Sequence, residues 1–303
     1  MAVEVGLGLD AGGTQTRWAL ALASGQMLAE GAVAPFSGQQ VHSPEGRELI
    51  SQALGEIRQA LRDAQLPAPA AVWAGVTGHD EQSGGGLRQL LQQALALPEA
   101  RIHLYNDVEL ACRLCFAPGQ GYVVYSGTGS IGVFVDASGA MHRAGGRGSL
   151  LGDEGSGHWI ARQALAQVWR SEDDAPGSMA SSALAQALFE RIGGPTWDDT
   201  RRFIHLSDRG ALGTLALAVA QVAEADAGAR RLLDQAGEEL ARLARLLITR
   251  HGMRPVVVCG RAASLHPVIE ASLRRCLPPG TACEFRTLQP HRDAALRAAG
   301  CLG

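Results

Sequence analysis

Val3-Glu4-Val5-Gly6-Leu7-Gly8-Leu9, followed by Asp10-Ala11-Gly12-Gly13-Thr14-Gln15-Thr16, is the stretch on which the fold turns. The first seven residues read as a strand and the glycine pair as a tight turn. Thr16 to Ala23 is again apolar and strand-like, with Trp18, Leu20 and Leu22 on one face. Ser24-Gly25 turns the chain, and Met27 to Val33 continues as a third strand. The glycines are thus followed by a strand, whereas a dinucleotide fingerprint requires strand, glycines, helix. The same plan recurs later. Gly121 to Tyr125 reads as a strand, Ser126-Gly127-Thr128-Gly129-Ser130 as a turn, and Ile131 to Val135 as a strand. Asp136-Ala137-Ser138-Gly139 turns the chain again before Ala140-Met141-His142. Two copies of one glycine-threonine hairpin, each opening a meander, predict two related half-domains.

Between the copies, Ser43-Pro44 reads as an N-cap with a first-turn proline. Ile50, Leu54, Ile57 and Leu61 then recur at helical spacing. Ala70 to Val76 reads as a strand ending at Thr77-Gly78, and Arg101 to Tyr105 as another ending at Asn106-Asp107. Val108 to Phe116 is a helix candidate, and Ala117 to Gly121 the junction between halves. In the second half, Ser156 to Trp169, Met179 to Ile192 and, with breaks, Ala211 to Arg250 carry helical periodicity. Pro255 to Cys259 is a buried strand ending at Gly260, Cys283 to Leu288 a last strand, and Pro290 to Cys301 a last helix. Strands alternating with helices give an α/β class. The expected lobes are 1–117 and 118–289.

Composition narrows the chemistry. A chain of 303 residues with 46% hydrophobic and 19% charged residues has the make-up of an ordinary globular protein, long enough for two domains. Its net charge of -3 gives no general attraction to nucleic acid or to an anionic membrane. No lysine occurs; all 27 basic residues are arginine. A Walker-type P-loop, a protein-kinase fold and a Schiff-base enzyme all need lysine. Any nucleotide must therefore be handled by backbone N–H groups, a metal ion and arginine. There is no secretory leader and no apolar run long enough to span a bilayer, so a cytoplasmic location with reduced thiols is expected. Cys112 and Cys115 form a C-x-x-C, but zinc would need two further ligands at matching spacing, and structural packing on a helix is the simpler reading.

Five segments bear on chemistry. In Asp10 to Thr16, glycines let the backbone approach a phosphate and adopt positive φ, successive N–H groups can form an anion-binding concavity, and a strand-end acid can hold Mg²⁺. Ser126 to Ser130 could cradle another face of a triphosphate, or be an ordinary turn. Asp107, at a strand end, is a candidate general base for a hydroxyl, or a helix N-cap. Arg143 to Gly157, with its glycines and the acid pair Asp153-Glu154 before a helix, suits a binding loop better than a linker. Gly260-Arg261-Ala262-Ala263 would let an adenine lie against backbone, or be a simple strand-to-helix turn.

In order, D-x-G-G-T, N-D, S-G-T-G-S, G-G-x-G-x-x-x-G-D-E-G-S-G and an apolar strand with G-R-A resemble the N-acetylglucosamine kinase branch of the actin-like ATPases. That branch includes glucosamine kinases and the ATPase activators of benzoyl-CoA reductase type. The resemblance covers nearly the whole chain, and the G-D-E-G-S-G run with the preceding hairpin is its specific part. It implies two ribonuclease-H-like lobes around a cleft, the two hairpins facing each other across it, the C-terminal helix, 290–303, returning to pack on the first lobe, and phosphoryl transfer from Mg-ATP to the 6-hydroxyl of an amino sugar. By resemblance, Asp10 organises Mg²⁺, while Gly12, Gly13, Thr14 and Thr16 meet the phosphates. Gly127, Thr128 and Gly129 meet them from the other lobe, and Gly260 and Arg261 border adenosine. Asp107 falls on the family's base, and Gln39, Asn106, Ser130, Gly146, Arg147 and Asp153 fall on the sugar side. A homodimer is the family expectation.

Two positions depart from the family pattern. Arg147 stands where tryptophan often lines the sugar site, and Phe36-Ser37-Gly38-Gln39-Gln40 carries Gln39 where an asparagine is usual. Both bear on which sugar is taken, N-acetylglucosamine, glucosamine or another hexose. The rival from another class is an ATPase that drives a partner reductase by conformational change. Members of that type hold an iron–sulfur cluster with cysteines, and the position of Cys112 and Cys115 beside Asp107 does not match that arrangement.

Overall fold

The computed structural model describes residues 4–301. Val3 of the first expected strand, and 302–303 of the expected C-terminal segment, lie outside the described residues. In chain order the elements are β1 (Val5–Ala11), β2 (Thr16–Leu22), β3 (Met27–Val33), α1 (Pro44–Asp63), β4 (Ala71–Val76), α2 (Glu81–Leu95), β5 (Ile102–Tyr105) and α3 (Asp107–Cys115). Then come β6 (Tyr122–Ser126), β7 (Ser130–Val135), β8 (Met141–Gly145), α4 (Gly157–Asp174), α5 (Ala183–Ile192), α6 (Trp197–Leu206), α7 (Arg209–Gly213), α8 (Ala216–Val222) and α9 (Ala227–His251). The chain ends with β9 (Val256–Cys259), α10 (Pro267–Cys276), β10 (Cys283–Arg286) and α11 (Pro290–Gly300).

The chain divides into two compact units, one comprising residues up to Ala117 together with those from Leu288 on, the other Pro118–Thr287. Each holds one five-stranded mixed sheet, and the two sheets have the same plan. The first runs β3-β2-β1-β4-β5 and the second, read from its far edge, β8-β7-β6-β9-β10. In each, three antiparallel strands form the meander, and two strands are added parallel to its first member.

In the first unit the period-2 alternation of β1 does two jobs. Val5, Leu7, Leu9 and Ala11 join Ile50, Leu54 and Ile57 of α1 and Leu87 and Leu91 of α2 in one core. Gly6 and Gly8 point to the opposite face, where α11 lies so close that a Cβ on Gly8 would sit 1.9 Å from the His291 carbonyl oxygen and one on Gly6 2.1 Å from the Ala299 nitrogen. Ser43 caps α1 by accepting from the Gly46 amide, with Pro44 in the first turn.

The sequence reading assigned no element to 81–95, which is α2. Its Gly84-Gly85-Gly86 run weakens intrinsic helicity. The Asp80/Ser83 capping box starts the helix, and burial of Leu87, Leu91 and Leu95 holds it. In the second unit, Tyr122, Val124, Val256 and Val258 of the sheet pack with Ile160 and Ala164 of α4, Leu188 of α5 and Leu233, Leu240 and Leu247 of α9.

Candidate active site

In the first unit, β1 ends at Asp10. Asp10 lies opposite Arg17 on β2 and Gly75 on β4, so its side chain stands on the α11 face. Over the absent side chain of Gly75 packs α3, with Leu110 and the Asp107 backbone nearest. Asp10 and Asp107 thus share one face, near enough to feel each other. Burial first, then the Asp107 charge, push the Asp10 carboxyl up to about 6, partly offset by Arg17. Asp107 is held by Thr77, whose hydroxyl donates to Oδ2 at 2.8 Å. The helix N-cap is Asn106, not Asp107: the Asn106 side-chain oxygen accepts from the Val108 amide at 2.9 Å and more weakly from Glu109. Asp107 is the first residue inside α3, its Oδ1 accepting from Val108 at 3.0 Å.

Gly12 to Gln15 form the turn after Asp10, with the Gly12 amide donating to the Gln15 carbonyl. Gly12 and Gly13 do not take positive φ, and neither do Gly127 and Gly129. It is their lack of a side chain that counts, since a Cβ on Gly13 would meet nothing within 4 Å, leaving backbone open to approach. Thr14 is exposed. Thr16 is elsewhere: it pairs with Ala11, is fully buried on the face opposite Asp10, and its hydroxyl has no hydrogen-bond partner. The expectation that Thr16 joins the turn's ligands does not match this placement, because β2 has already turned that side chain into the core.

Gln39 lies in a short 3-10 turn, Gly38–His42. Its amide donates to the Gly78 carbonyl at 2.9 Å and to Asp80 at 3.0 Å, while the Gly38 amide donates to Thr77. The segment after β3 is thereby laced to Thr77-Gly78, and through Thr77 to Asp107. Sequence reasoning missed Thr77 as a functional residue; its signal was a hydroxyl at the C-terminal end of a strand beside the one that carries Asp107.

In the second unit the Ser126–Ser130 hairpin is held on all sides. Ser126 Oγ donates to the Gly155 carbonyl and Ser130 Oγ to that of Glu154. The first amides of α4 donate to the hairpin, Gly157 to the Gly127 carbonyl at 2.9 Å and His158 to that of Thr128 at 3.3 Å. Gly260, with φ +100°, passes so near that a Cβ would fall 2.2 Å from the Ser126 oxygen, and the Ala262 amide donates to that same oxygen. Only glycine fits there. Gly127, Thr128, Gly129, Ser130, Gly260 and the exposed Arg261 are therefore one assembly. Gly213, at the end of α7, joins it unforeseen: a Cβ on Gly157 would lie 3.4 Å from the Gly213 carbonyl and 3.3 Å from that of Gly127.

Asp153 is buried, with a left-handed backbone (φ +61°) that costs a non-glycine residue energy. Its carboxylate accepts from the Ser130 amide and from the Arg209 guanidinium. Gly146 (φ +67°) opens the loop that ends at Asp153, and Arg147 on it is exposed. Leu150 and Leu151 of the same loop are 95% and 78% exposed.

Asp10 and Asp107 are two carboxylates whose charges repel, with Arg17 partly offsetting them; among the described residues no group of three or more acidic, His or Cys side chains gathers into a metal-holding cluster. One or two carboxylates fit a hard divalent ion such as Mg²⁺ when water and phosphate oxygens fill the rest of its shell. In the second unit, a backbone turn braced from behind by α4 suits a phosphate chain. Among the described residues no helix is long and apolar enough to cross a membrane.

The sequence profile of the BadF/BadG/BcrA/BcrD ATPase family matches residues 7–274. The chain is 29% identical over 171 residues to the N-acetylmuramic acid/N-acetylglucosamine kinase of Clostridium acetobutylicum, covering 55% of this chain and 54% of that one. It is 26% identical over 201 residues to the N-acetyl-D-glucosamine kinase of Dictyostelium discoideum, covering 63% and 61%. The match spans less than two thirds of either curated relative. A crystal structure of a proposed N-acetylglucosamine kinase from Chromobacterium violaceum is similar over 100% of this chain and 99% of that one, at 28% identity and a TM-score of 0.70.

Proposed function

The chain belongs to the BadF/BadG/BcrA/BcrD ATPase family, and from that premise we propose that it is an ATP-dependent amino-sugar kinase. Its α/β fold, with two sheets of like order, is that of the sugar kinases of the actin-like ATPase superfamily. The reaction we assign is transfer of the γ-phosphoryl group of ATP to the 6-hydroxyl of N-acetylglucosamine. Glucosamine or another hexose is the alternative acceptor. The observation that carries this reading is the pair at the end of the first sheet: Asp107 fixed by Thr77, beside an Asp10 whose carboxyl is pushed up by burial and by Asp107 itself.

In the proposed mechanism, Asp107 accepts the proton of the sugar hydroxyl as the new phosphorus–oxygen bond forms and the bond to ADP breaks. Thr77 leaves one lone-pair direction of Asp107 fixed, which aims the other. Asp10 would hold Mg²⁺, which when bound supplies the charge that neutralises the triphosphate. Gly12, Gly13 and Thr14 offer backbone to the phosphates. Gly127, Thr128 and Gly129 do so on the second unit, where bracing by α4 and Gly260 keeps them preorganised. Gly260 and Arg261 are assigned to adenosine, with Gly213 beside them. Asn106, Ser130, Gly146, Arg147, Gln39 and Asp153 are assigned to the sugar. For Asn106 the amide oxygen already caps α3, leaving the NH₂ for a ligand; the Ser130 hydroxyl donates to the Glu154 carbonyl, leaving its oxygen lone pairs to accept.

A cytoplasmic homodimer working in amino-sugar metabolism completes the reading, on the strength of the family resemblance. The test is an ADP-release assay over a panel of hexoses and amino sugars with Mg-ATP. Turnover stimulated most by N-acetylglucosamine supports the assignment. ATP turnover indifferent to every sugar refutes it and favours the partner-driving ATPase.

A further inference from the structure

Beside the phosphate hairpin of the second unit stands a cation that no motif announced. Arg209 opens α7, a five-residue helix whose N-cap Asp208 accepts from the Ala211 amide at 2.7 Å. Its guanidinium reaches back to Asp153 and lies over Gly129, such that a Cβ on Gly129 would sit 3.2 Å from the Arg209 Nη2 and 2.9 Å from the Asp153 Oδ2. The two partners are unlike. The Asp153 side chain is 5% exposed and that of Arg209 50%.

A carboxylate so buried needs its charge met, and Arg209 meets it. The same contact does something for the arginine. A guanidinium carries five N–H donors in a rigid fork, and only Nη2 donates to Asp153. The remainder of the half-exposed head is held beside Gly129 by a buried partner, which also accepts a long hydrogen bond, 3.4 Å, from the Ser130 amide. A long, flexible side chain on the surface normally gives up much of its freedom on binding an anion. Here that ordering is already done. The backbone of Asp153 is in a strained left-handed conformation to make the contact, the kind of strain that clusters at functional sites. His158 and Arg162 also act on this corner, with Asp208 beside Arg209 in sequence and Glu154, paired with Arg242, beside Asp153. Burial, Arg209 and Arg162 depress the His158 pKa, so His158 leaves the positive charge to the arginines.

We propose that Arg209, preorganised by Asp153, binds the terminal phosphate of the nucleotide on the Gly127–Gly129 turn. Asp153 then acts as a positioning residue for the arginine. In a chain without lysine, this cation supplies the side-chain charge that lysine supplies in other phosphoryl-transfer sites. The inference rests on the reading of the hairpin as a nucleotide site, and the experiment separates the two.

Binding of ADP and of the non-hydrolysable ATP analogue AMPPNP, both with Mg²⁺, is measured by calorimetry for the full chain and for Arg209→Gln and Arg209→Lys. Loss of one charge-assisted contact weakens AMPPNP about tenfold in Arg209→Gln, while ADP stays within about twofold of wild type, which also reports that the variant is folded. Turnover in Arg209→Gln falls about 10²–10³-fold, the effect of removing one preorganised donor. Arg209→Lys, keeping charge without the fork, is intermediate on both counts. Unchanged AMPPNP affinity and turnover overturn the proposal. Equal weakening of ADP and AMPPNP also overturns it, since Arg209 would then only brace Asp153. A wild-type chain that binds neither nucleotide takes down the hairpin reading together with this one.

Discussion

Replacing Asp10 by asparagine should make this protein more stable and inactive, and the size of the gain follows from one carboxyl. Burial and the Asp107 charge hold Asp10 at about 6 in the folded state, against an ordinary 3.8. The folded state therefore binds a proton that the unfolded state releases, so stability falls as pH rises through that interval and the full penalty is present above about 6. The displacement is worth up to about 3 kcal/mol at pH 8, about half of that at pH 5, and little at pH 4. An asparagine side chain has nothing to ionise. Urea unfolding of wild type and Asp10→Asn without Mg²⁺ should show the variant ahead by on the order of 2–3 kcal/mol at pH 8, with the lead roughly halved at pH 5. Adding Mg²⁺ should raise the wild-type midpoint and leave the variant unmoved. A variant less stable than wild type at pH 8, or a lead that does not change with pH, would refute the account of Asp10 as a strained, cation-seeking carboxylate.

Asp107→Asn should lower turnover by about 10²–10⁴-fold with ATP affinity nearly unchanged; because Asn106 caps α3 and the Asp107 charge is one of the causes that push Asp10 up, the melting temperature at pH 8 should hold or rise, and full activity would leave the residue no catalytic part. Arg147→Trp should change the ratio of turnover on N-acetylated and free amino sugars, an unchanged ratio showing that the side chain stays away from the acceptor. Gly8→Ala should destabilise by at least about 1–3 kcal/mol in chemical denaturation, since the added methyl falls on the α11 backbone, and a neutral result would mean that α11 packs elsewhere.

The sequence was most legible where backbone and side-chain signals coincide. The two meanders could be read because glycine-rich turns sit between alternating apolar runs, and the Ser43-Pro44 start of α1 because a cap and a first-turn proline fall together. Less visible were elements whose signals conflict. Gly84-Gly85-Gly86 hid α2, whose close approach to Val41 leaves no room for a side chain at Gly86. Thr196-Trp197-Asp198-Asp199 opens α6 with a capping box, but α6 is only ten residues long and Thr200 is its one buried residue, so its short apolar stripe carries little of the core. In the site, Asp10, Asp107 and the hairpin glycines could be named from motif alone. Thr77 and Arg209 could not, because what they do depends on strands and helices brought together from 30 and 56 residues away. The side on which Thr16 falls was decided by strand register, which a turn motif does not carry.

The seat of α11 against Gly6 and Gly8 has a consequence during synthesis. The strand that seat lies on is made first and the helix that fills it nearly last, with about 170 residues of the other unit emerging between them. From the end of β1 to the start of α11 is about 280 residues, which at roughly 5–20 residues per second is an interval on the order of fifteen to fifty-five seconds. Throughout it the growing chain carries a bare glycine-floored face on its first sheet, while Pro118–Thr287 contains all of its own elements and can close as soon as it leaves the ribosome. The later unit in sequence is then the earlier one to finish, and the vulnerable species in the cell is a nascent chain whose first sheet waits for its last helix.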